Sequence, residues 1–537
     1  MGFNQSKSNA PSSNGDVWKY VKSQSERFDA SNIIQQNAAS GEKLNFNEFS
    51  ENVESLASVL RDIELTSGVG ICSENNLEYC WILLGVLHAG VRCTLLSPTY
   101  TERELRHFLN LTKPDIVLCS RLVGDKLYEN GESFDAICSA HSFVKGVYVW
   151  GPTGYKSLFA SLRSVCKNNN NTTRDQKCFE GSREALVLAS SGSTGLPKGV
   201  VLTHRAVVES LKLSSVYANS CETALGLMPL FHSYGLILGL MCLCEGSKFI
   251  IVPKLMGAKH LSEIVCTHQI KNLYIIPSLL AMIGKSSMFT KDNLACVRHV
   301  WTSAGKVSRR VQELAVEKLP RNAVVHHCYG MTETTFVTMT GPVGKPECSG
   351  KLVSNVECRV IRDTGEICGP DEMGELCFRG PTIMKGYLDN EEATSEALQT
   401  DGWLRSGDLG FYDRDGDFFI VDRLKEMIKY QGNQVSPVEI EGVILELSDV
   451  LEAAVAGLPS EDFGELPAAG VVVKPESKLS AEDVEEHVAR QLSPYKRLRG
   501  GVFFFEELPK TGTGKIRRKV LLNRITNITR TLPALDR

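Results

Sequence analysis

Residues 190–199 combine the groups that proteins use to hold a phosphate, and they read Ser-Ser-Gly-Ser-Thr-Gly-Leu-Pro-Lys-Gly. The glycines free the backbone to wrap round an anion, the hydroxyl side chains can donate hydrogen bonds, and Lys198 supplies positive charge. In a Walker loop, by contrast, Lys and Ser or Thr directly follow the last glycine. The spacing therefore predicts a phosphate-binding loop of another kind, with a flexible Gly/Ser loop as the alternative.

The flanking residues indicate how this loop is held. Residues 185–189 form an apolar run of buried-strand length, and residues 200–202 predict a second short strand. Thr203 can then cap a helix that begins at His204. The sequence thus predicts a strand, phosphate loop and strand unit followed by a helix.

Further segments carry polar residues that could belong to the same chemistry, at 228–234, 329–335, 402–408, 421–430 and 508–515. Taken singly, they have ordinary explanations, such as a helix-capping turn, a loop aspartate, a solvated charged face or a basic tail. Together with residues 190–199, and in this order, they resemble the adenylate-forming superfamily over roughly residues 50 to 520. The resemblance implies ATP, Mg²⁺ and coenzyme A as cofactors and substrates.

The resemblance also implies roles for single residues. Thr332 would meet a phosphate, and Glu333 would hold Mg²⁺, a hard cation that prefers carboxylate oxygens. Asp408, an acceptor-only side chain, would take the ribose hydroxyls. Lys515 would stabilise the charge that develops when a carboxylate attacks the α-phosphate. The implied nucleotide and thioester-forming residues are Ser190, Ser191, Gly192, Ser193, Thr194, Gly195, Lys198, Tyr329, Thr332, Asp408, Arg423, Lys429 and Gly432.

The acyl pocket is expected in loops of the large domain, at His232, Ser303, Ala304, Gly305 and Cys328. By resemblance, His232 would lie beside the acyl group, with an ordinary partly buried histidine as the alternative. Two departures from the family pattern occur here. The segment from Ser303 is one residue shorter than the family's Ser-Gly-Gly-Ala-Pro-Leu, and Cys328 stands where glycine is usual. The substrate therefore need not be that of a well-known relative.

The motif order predicts an α/β fold in two domains. A large N-terminal domain of packed mixed β-sheets and helices would span residues 16–422, after a disordered tail at 1–15. A small, mobile C-terminal α/β domain would span 423–537, with a hinge at 422–425. In it, a capping box at Ser436 precedes an amphipathic helix, and strands are expected at 453–457, 470–473 and 502–505.

Composition excludes several classes of protein. A net charge of −4 gives no reason to expect nucleic acid as a partner, and the longest apolar stretch, 235–244, is about half a membrane span. The 17 cysteines contain no Cys-x-x-Cys pair, which favours a reducing compartment over disulfides or zinc. We expect a soluble protein, cytosolic and not peroxisomal because the sequence ends Leu-Asp-Arg instead of Ser-Lys-Leu. Oligomeric state is left open.

The leading hypothesis is an acyl-CoA ligase that activates a fatty or aryl-propenoic acid through an acyl-adenylate. A luciferase is the first alternative, because it shares the adenylation step and then uses oxygen. Against a beetle-type luciferin, Ser215 stands about where a luciferin-binding arginine is expected. A catalytically inactive nucleotide-binding regulator is a remote alternative. The chain retains all of the residues that such a regulator could lose, Lys198, Glu333, Asp408, Arg423 and Lys515.

Overall fold

The computed structural model describes residues 16–128, 130–150, 155–163, 183–190, 197–214, 221–305, 307, 309–342, 345, 347–431, 433–460, 462–511 and 514–531. The predicted tail at 1–15 and Ser215 therefore lie outside the described residues. The helices are α1 Val17–Ser25, α2 Phe46–Arg61, α3 Glu78–His88, α4 Glu102–Thr112, α5 Arg121–Gly124, α6 Phe134–Ser139, α7 Tyr155–Arg163, α8 His204–Ser214, α9 Ser233–Cys244, α10 Ala258–Thr267, α11 Pro277–Lys285, α12 Arg309–Lys318, α13 Glu391–Ala397, α14 Pro437–Ile444, α15 Ala481–Gln491 and α16 Arg518–Thr531. The strands are β1 Ile33–Asn37, β2 Lys43–Asn45, β3 Val69–Cys72, β4 Cys93–Leu96, β5 Ile116–Ser120, β6 Gly146–Trp150, β7 Glu184–Ser190, β8 Lys198–Thr203, β9 Ala224–Gly226, β10 Phe249–Ile251, β11 Asn272–Ile275, β12 His299–Thr302, β13 Val324–Gly330, β14 Val337–Pro342, β15 Lys351–Leu352, β16 Glu357–Ile361, β17 Gly374–Arg379, β18 Gly386–Tyr387, β19 Leu404–Tyr412, β20 Phe418–Arg423, β21 Ile428–Tyr430, β22 Asn433–Val435, β23 Val450–Ser460, β24 Gly464–Val473 and β25 Val502–Phe504.

The chain divides into two compact units. The first comprises the described residues up to Lys254 together with Met331–Phe336 and Pro381–Ser395. Its larger sheet has seven strands in the order β18-β8-β7-β4-β3-β5-β6, parallel from β7 to β6 and antiparallel at the β7–β8 and β8–β18 pairs. Strands β3, β4 and β5 are buried along their length, as expected of parallel strands covered on both faces. Strands β2, β1, β10 and β9 form further sheet structure in this unit.

The second unit comprises Leu255–Gly330, Val337–Gly380 and the described residues from Glu396 onward. Strands β11, β12 and β13 pair in parallel, and β14 and β15 continue them antiparallel. Strands β16, β17, β19 and β20 form an antiparallel sheet, and β21 to β25 form another. Both units thus mix sheets with helices, which confirms the predicted α/β class.

The elements expected in the C-terminal part are present. Helix α14 begins after Ser436, whose hydroxyl accepts a hydrogen bond from the Glu439 amide, and it buries Ile440 and Ile444. Strands β23, β24 and β25 contain most of the residues predicted as strands. Across the part of the chain that the structure describes, no helix combines the length and apolar character needed to cross a bilayer.

Lys285 joins α11 to the segment that follows α14. Its ammonium group donates to the carbonyl oxygen of Val450 at 2.7 Å and to that of Leu445 at 3.4 Å. Burial, together with the smaller effect of the Lys474 charge, lowers the pKa of Lys285 to about 8. This contact links residues on opposite sides of the predicted hinge.

The depressed pKa of Lys285 predicts a pH dependence of stability. In the unfolded chain, the pKa returns to about 10.5, so between pH 8 and 10.5 the unfolded state binds more protons than the folded state. Stability should therefore rise with pH in this window, because the buried amine becomes neutral. We expect the melting temperature of the wild type to rise relative to that of Lys285→Met between pH 8 and pH 10. The exposed Lys291→Met is the control, and equal slopes for wild type and Lys285→Met would contradict the assignment.

Candidate active site

The predicted phosphate loop joins two antiparallel strands. Ser190 ends β7, Lys198 begins β8, and the two residues are register partners. The hydroxyl of Thr203 accepts a hydrogen bond from the Ala206 amide at 3.1 Å, so the predicted strand, strand and helix unit with its threonine cap is confirmed. The predicted loop residues themselves lie outside the described residues: Ser191, Gly192, Ser193, Thr194 and Gly195.

Four side chains of the first unit meet at the ends of this hairpin. Glu333 accepts hydrogen bonds at Oε1 from the hydroxyl of Ser190 at 2.7 Å and from that of Tyr387 at 3.0 Å. The ammonium group of Lys198 lies over the Tyr387 ring, 4.8 Å from its centroid. We call Ser190, Lys198, Glu333 and Tyr387 the Glu333 cluster. It places a carboxylate and a cation around one aromatic ring.

The backbone holds Glu333 in place. Glu333 and Thr332 belong to a short 3₁₀ turn, both side chains are buried, and the Glu333 carbonyl accepts from the Met384 amide at 2.8 Å. Thr335 follows with φ of 65°, and its hydroxyl donates to the Thr382 carbonyl at 2.6 Å. A left-handed threonine is strained and persists only where its surroundings fix it. The carboxylate is therefore presented from a rigid turn.

The Glu333 cluster fits the magnesium ion that the family resemblance implies. Both described hydrogen bonds end on Oε1, and Oε2 has no hydrogen-bond partner among the described residues. A buried carboxylate with one oxygen held by hydroxyls can offer the other to a hard cation. Thr332, next to it in the chain, is a buried residue of the same turn.

A second group of polar residues lies in the other unit. Asp408 accepts a hydrogen bond from the hydroxyl of Tyr329 at 2.5 Å and forms an ion pair with Nε of Arg423 at 2.9 Å. Asp408 and Arg423 are register partners on β19 and β20. Burial raises the pKa of the Tyr329 hydroxyl well above its usual range, and the Asp408 charge adds to this. We call these three residues the Asp408 cluster.

Lys515 lies close to the Asp408 cluster. Burial lowers its pKa, the charge of Arg423 lowers it further, and Glu426 and Asp408 act in the opposite direction. The amide of Lys515 donates to the hydroxyl of Thr511 at 3.1 Å. The Lys515 side chain is half-buried, within electrostatic reach of the carboxylates of Glu426 and Asp408 and of the guanidinium groups of Arg423 and Arg518.

Arg518 anchors the segment that carries Lys515. Its Nε donates to Glu426 at 3.0 Å, and its guanidinium group pairs with Glu441 of α14. It also donates to the Val455 carbonyl at 2.9 Å. Burial would raise the pKa of Glu426, but the charges of Arg518 and Lys515 hold it below its ordinary value. The start of α16 is therefore tied both to α14 and to the turn that follows β20.

The predicted hinge lies at this turn. The amide of Glu426 donates to the Arg423 carbonyl at 2.9 Å, which closes the turn. The carboxylate of Asp422 accepts from the Ser436 hydroxyl at 2.5 Å and from the Val438 amide at 3.3 Å. Asp422 thus connects β20 to the beginning of α14. Whether the turn rotates stays a prediction.

His232 is the N-cap residue of α9. Its Nδ1 accepts from the Tyr234 amide at 3.4 Å, so Nε2 carries the proton in the neutral ring. The Tyr234 ring stacks on the ring of Phe336, and the two ring centroids are 6.0 Å apart. Phe336 follows Glu333 by three residues in the chain. His232 therefore shares a unit with the Glu333 cluster, and its role beside an acyl group stays a prediction.

The remaining pocket residues lie on β12 and β13 or follow them. Ser303 is buried, whereas Ala304 and Gly305 are exposed. Ala304 has φ of 68°, a conformation that favours glycine, and glycine is the residue expected there from the family pattern. The Cys328 thiol lies 3.3 Å from the Thr340 hydroxyl, and burial raises its pKa to about 12. This thiol is inert at neutral pH and contributes volume instead of nucleophilicity.

Of the two residues predicted to form the thioester-forming face, Lys429 and Gly432, the structure describes only Lys429. Lys429 is exposed on β21, and its amide donates to the Glu465 carboxylate at 2.8 Å. Gly432 lies outside the described residues. Sequence reasoning missed one residue of the site altogether. Tyr387 lies in a two-residue strand, far along the chain from Lys198. The only local sequence signal near it is the preceding glycine, Gly386.

Comparison with known proteins shows the family to which the chain belongs. The sequence profile of AMP-binding enzymes matches residues 22–388, and that of the AMP-binding enzyme C-terminal domain matches residues 439–515. Luciferin 4-monooxygenase of Photuris pensylvanica is 35% identical over 467 residues, which cover 84% of each chain. The probable 4-coumarate–CoA ligase 1 of Dictyostelium discoideum is 32% identical over 501 residues, covering 89% of this chain and 90% of that relative.

A solved structure gives the same picture of the fold. ATP-bound MatB from Rhodopseudomonas palustris matches with a TM-score of 0.82 at 24% identity, covering 96% of this chain and 99% of that chain. Profile matches, relatives and motifs agree along most of the sequence. The chain therefore belongs to the AMP-binding enzymes, the adenylate-forming superfamily that its motifs resemble.

Proposed function

We propose that this protein is an ATP-dependent acyl-CoA ligase that activates a fatty acid or an aryl-propenoic acid through an acyl-adenylate. The observation that carries the proposal is the placement of Lys515, a half-buried cation within electrostatic reach of the ion pair between Asp408 and Arg423. A positive charge held next to a candidate ribose site is suited to stabilise negative charge on a neighbouring phosphate. A regulator that only bound nucleotide would not need a positive charge at this position.

For the first half-reaction, we assign a ribose-binding role to the Asp408 cluster and a phosphate-binding role to the Glu333 cluster. Asp408 would accept hydrogen bonds from the ribose hydroxyls, with Arg423 holding its carboxylate in place. Lys198 and the hydroxyls of the loop that follows Ser190 would contact the phosphates. The substrate carboxylate oxygen then bonds to the α-phosphorus, the bond from that phosphorus to the bridging oxygen breaks, and pyrophosphate leaves. Lys515 would stabilise the charge that grows on the α-phosphate oxygens during this step.

The magnesium site is assigned to Glu333, through the carboxylate oxygen that Ser190 and Tyr387 leave open. When bound, the ion would neutralise charge on the phosphate oxygens. The residues of the chain have a separate task, which is to hold that carboxylate and the Lys198 ammonium group in fixed positions. Rigid placement matters because small displacements of a charged group weaken its effect on the transition state.

In the second half-reaction, the thiol of coenzyme A attacks the acyl carbonyl and AMP leaves. We propose that rotation about residues 422–425 withdraws Lys515 and brings Lys429 and Gly432 toward the thiol. Hinges of a few residues commonly carry such motions. The contacts of Asp422 and Lys285, which cross the hinge, would then differ between the two arrangements, whereas those of Arg518 lie within the C-terminal part and would be kept.

A luciferase is the second candidate, because relatives with that name match as well as the ligases do. Both activities use the same adenylation groups, so the clusters do not separate them. The difference is what attacks the adenylate, a thiol or molecular oxygen. We favour the ligase over a luciferase that uses a beetle-type luciferin, since Ser215 stands about where a luciferin-binding arginine is expected.

The first experiment is a substrate panel. Purified protein with Mg-ATP is given fatty, aryl-propenoic and luciferin-type carboxylates, with and without coenzyme A, while pyrophosphate, thioester and light are recorded. Thioester that requires coenzyme A, without light, is the expected result and names the substrate class. Light that requires oxygen would establish the luciferase instead. No pyrophosphate from any carboxylate, in protein shown to bind ATP, would favour the regulator.

A further inference from the structure

Tyr387 contacts both charged groups of the Glu333 cluster through different parts of its side chain. The hydroxyl donates to Glu333 Oε1 at 3.0 Å, and the ring face receives the ammonium group of Lys198 at 4.8 Å. Aromatic faces attract cations, and hydroxyl donors bind carboxylates strongly. One side chain therefore links the residue assigned to the metal with the residue assigned to the phosphates.

The backbone fixes Tyr387 beside Lys198. Strand β18 pairs antiparallel with β8, where Tyr387 is the register partner of Val200, two residues after Lys198. The Leu388 amide donates to the Gly199 carbonyl at 2.8 Å, and the Tyr387 amide donates to the Thr394 hydroxyl at 2.9 Å. Alternate residues of a strand share a face, so this register brings the ring of Tyr387 to the Lys198 side chain.

The hydrogen bonds to Glu333 explain how the Tyr387 hydroxyl could act on a metal bound at that carboxylate. Two hydroxyls occupy Oε1, one from β7 and one from β18, which locks the rotation of the carboxylate about its terminal bond. The other oxygen is then held in one direction without a competing donor among the described residues. Removing the Tyr387 hydroxyl would leave Ser190 alone to orient the group.

We propose that Tyr387 is a positioning residue, which orients Glu333 toward Mg²⁺ through its hydroxyl and holds Lys198 toward the phosphates through its ring. The inference rests on the proposed function, because it uses the metal and phosphate roles given to Glu333 and Lys198. It predicts that the two roles of Tyr387 are separable. Phenylalanine keeps the ring and removes the hydroxyl, whereas leucine removes both.

The test measures binding, not turnover. Affinity for ATP without divalent metal is measured by calorimetry, and affinity for Mn²⁺ in the presence of ATP is measured by electron paramagnetic resonance. Tyr387→Phe should weaken Mn²⁺ binding about tenfold, the effect of one hydrogen bond to a charged group, and leave metal-free ATP affinity unchanged. Tyr387→Leu should weaken Mn²⁺ binding similarly and also weaken metal-free ATP binding, by roughly threefold to tenfold. Tyr412→Phe, which removes a hydroxyl bonded to the Cys368 carbonyl, is the matched control and should change neither.

The outcomes separate this inference from the proposed function. Unchanged Mn²⁺ affinity in Tyr387→Phe, in protein that binds ATP normally, would reject the role of Tyr387 and leave the ligase proposal standing. An equal loss of metal-free ATP and Mn²⁺ affinity in Tyr387→Phe, with a lowered melting temperature, would show a purely structural role. Absence of ATP binding by the wild type would reject both.

Discussion

Lys515→Ala is expected to lower the rate of adenylate formation by about 10² to 10³, while affinity for ATP changes by less than about threefold. The ammonium group is needed chiefly in the transition state, where charge grows on the α-phosphate, and it contributes little to ground-state binding. Single-turnover pyrophosphate release measures the first quantity and calorimetry with ATP measures the second. The variant should still convert a synthetic acyl-adenylate to thioester, because that step does not use Lys515 in the proposed mechanism.

The control for this prediction is Lys519→Ala, which removes an exposed lysine four residues further along the chain. It should leave both half-reactions within about twofold, since surface substitutions rarely have large effects. If Lys515→Ala loses ATP affinity as much as rate, the residue binds the ground state and the catalytic assignment is wrong. If it loses the thioester step equally, the network of Arg518, Glu426 and Glu441 has been disturbed instead.

Much of the architecture around the loop was predictable because its determinants are local. An apolar run, a second short run and a threonine at the right offset predict the β7–β8 hairpin and the cap of α8, and the structure has both. The same holds for Ser436 and α14, where a capping residue precedes a periodic apolar face. Such patterns depend on neighbours within about four residues, which a sequence displays directly.

The contacts that organise the candidate site are not local. Tyr387 meets Glu333 because a two-residue strand, β18, pairs with β8, and no periodicity marks a strand of that length. Lys285 contacts carbonyl groups more than a hundred residues further on, in a segment whose side chains give no sign of it. Long-range pairing of this kind is set by packing of the whole sheet, so it becomes visible only in the folded chain.

The family resemblance supplied what local patterns could not. It assigned both Asp408 and Arg423 to nucleotide binding. In the structure the two residues are register partners on β19 and β20 and form an ion pair of 2.9 Å. The resemblance did not identify the residues that hold the Asp408 carboxylate and the Arg423 guanidinium group in position. Tyr329 was named for nucleotide binding, and the hydrogen bond from its hydroxyl to Asp408 adds a second, structural task.

Asp408→Asn carries the second large expected effect, a loss of ATP affinity of roughly 10- to 100-fold for each charge-assisted hydrogen bond that is lost to a ribose hydroxyl. Asp408 is only 3% exposed and already holds Tyr329 and Arg423, so its carboxylate is fixed before nucleotide arrives. An asparagine keeps the shape but carries no charge and replaces one acceptor by a donor. Calorimetric titration with ATP measures the loss, and Asp371→Asn, at an exposed turn, is the control.

Nucleotides that lack a ribose hydroxyl show whether Asp408→Asn loses affinity through its contact with the ribose. Wild-type protein should bind 2′-deoxy-ATP and 3′-deoxy-ATP more weakly than ATP, because each lacks a donor to Asp408. Asp408→Asn should discriminate among the three nucleotides much less, since the charged acceptor is already gone. This difference of differences isolates the interaction between one side chain and one hydroxyl, as a double-mutant cycle does. Equal discrimination by variant and wild type would mean that Asp408 acts only through Arg423 and Tyr329, and that the ribose binds elsewhere.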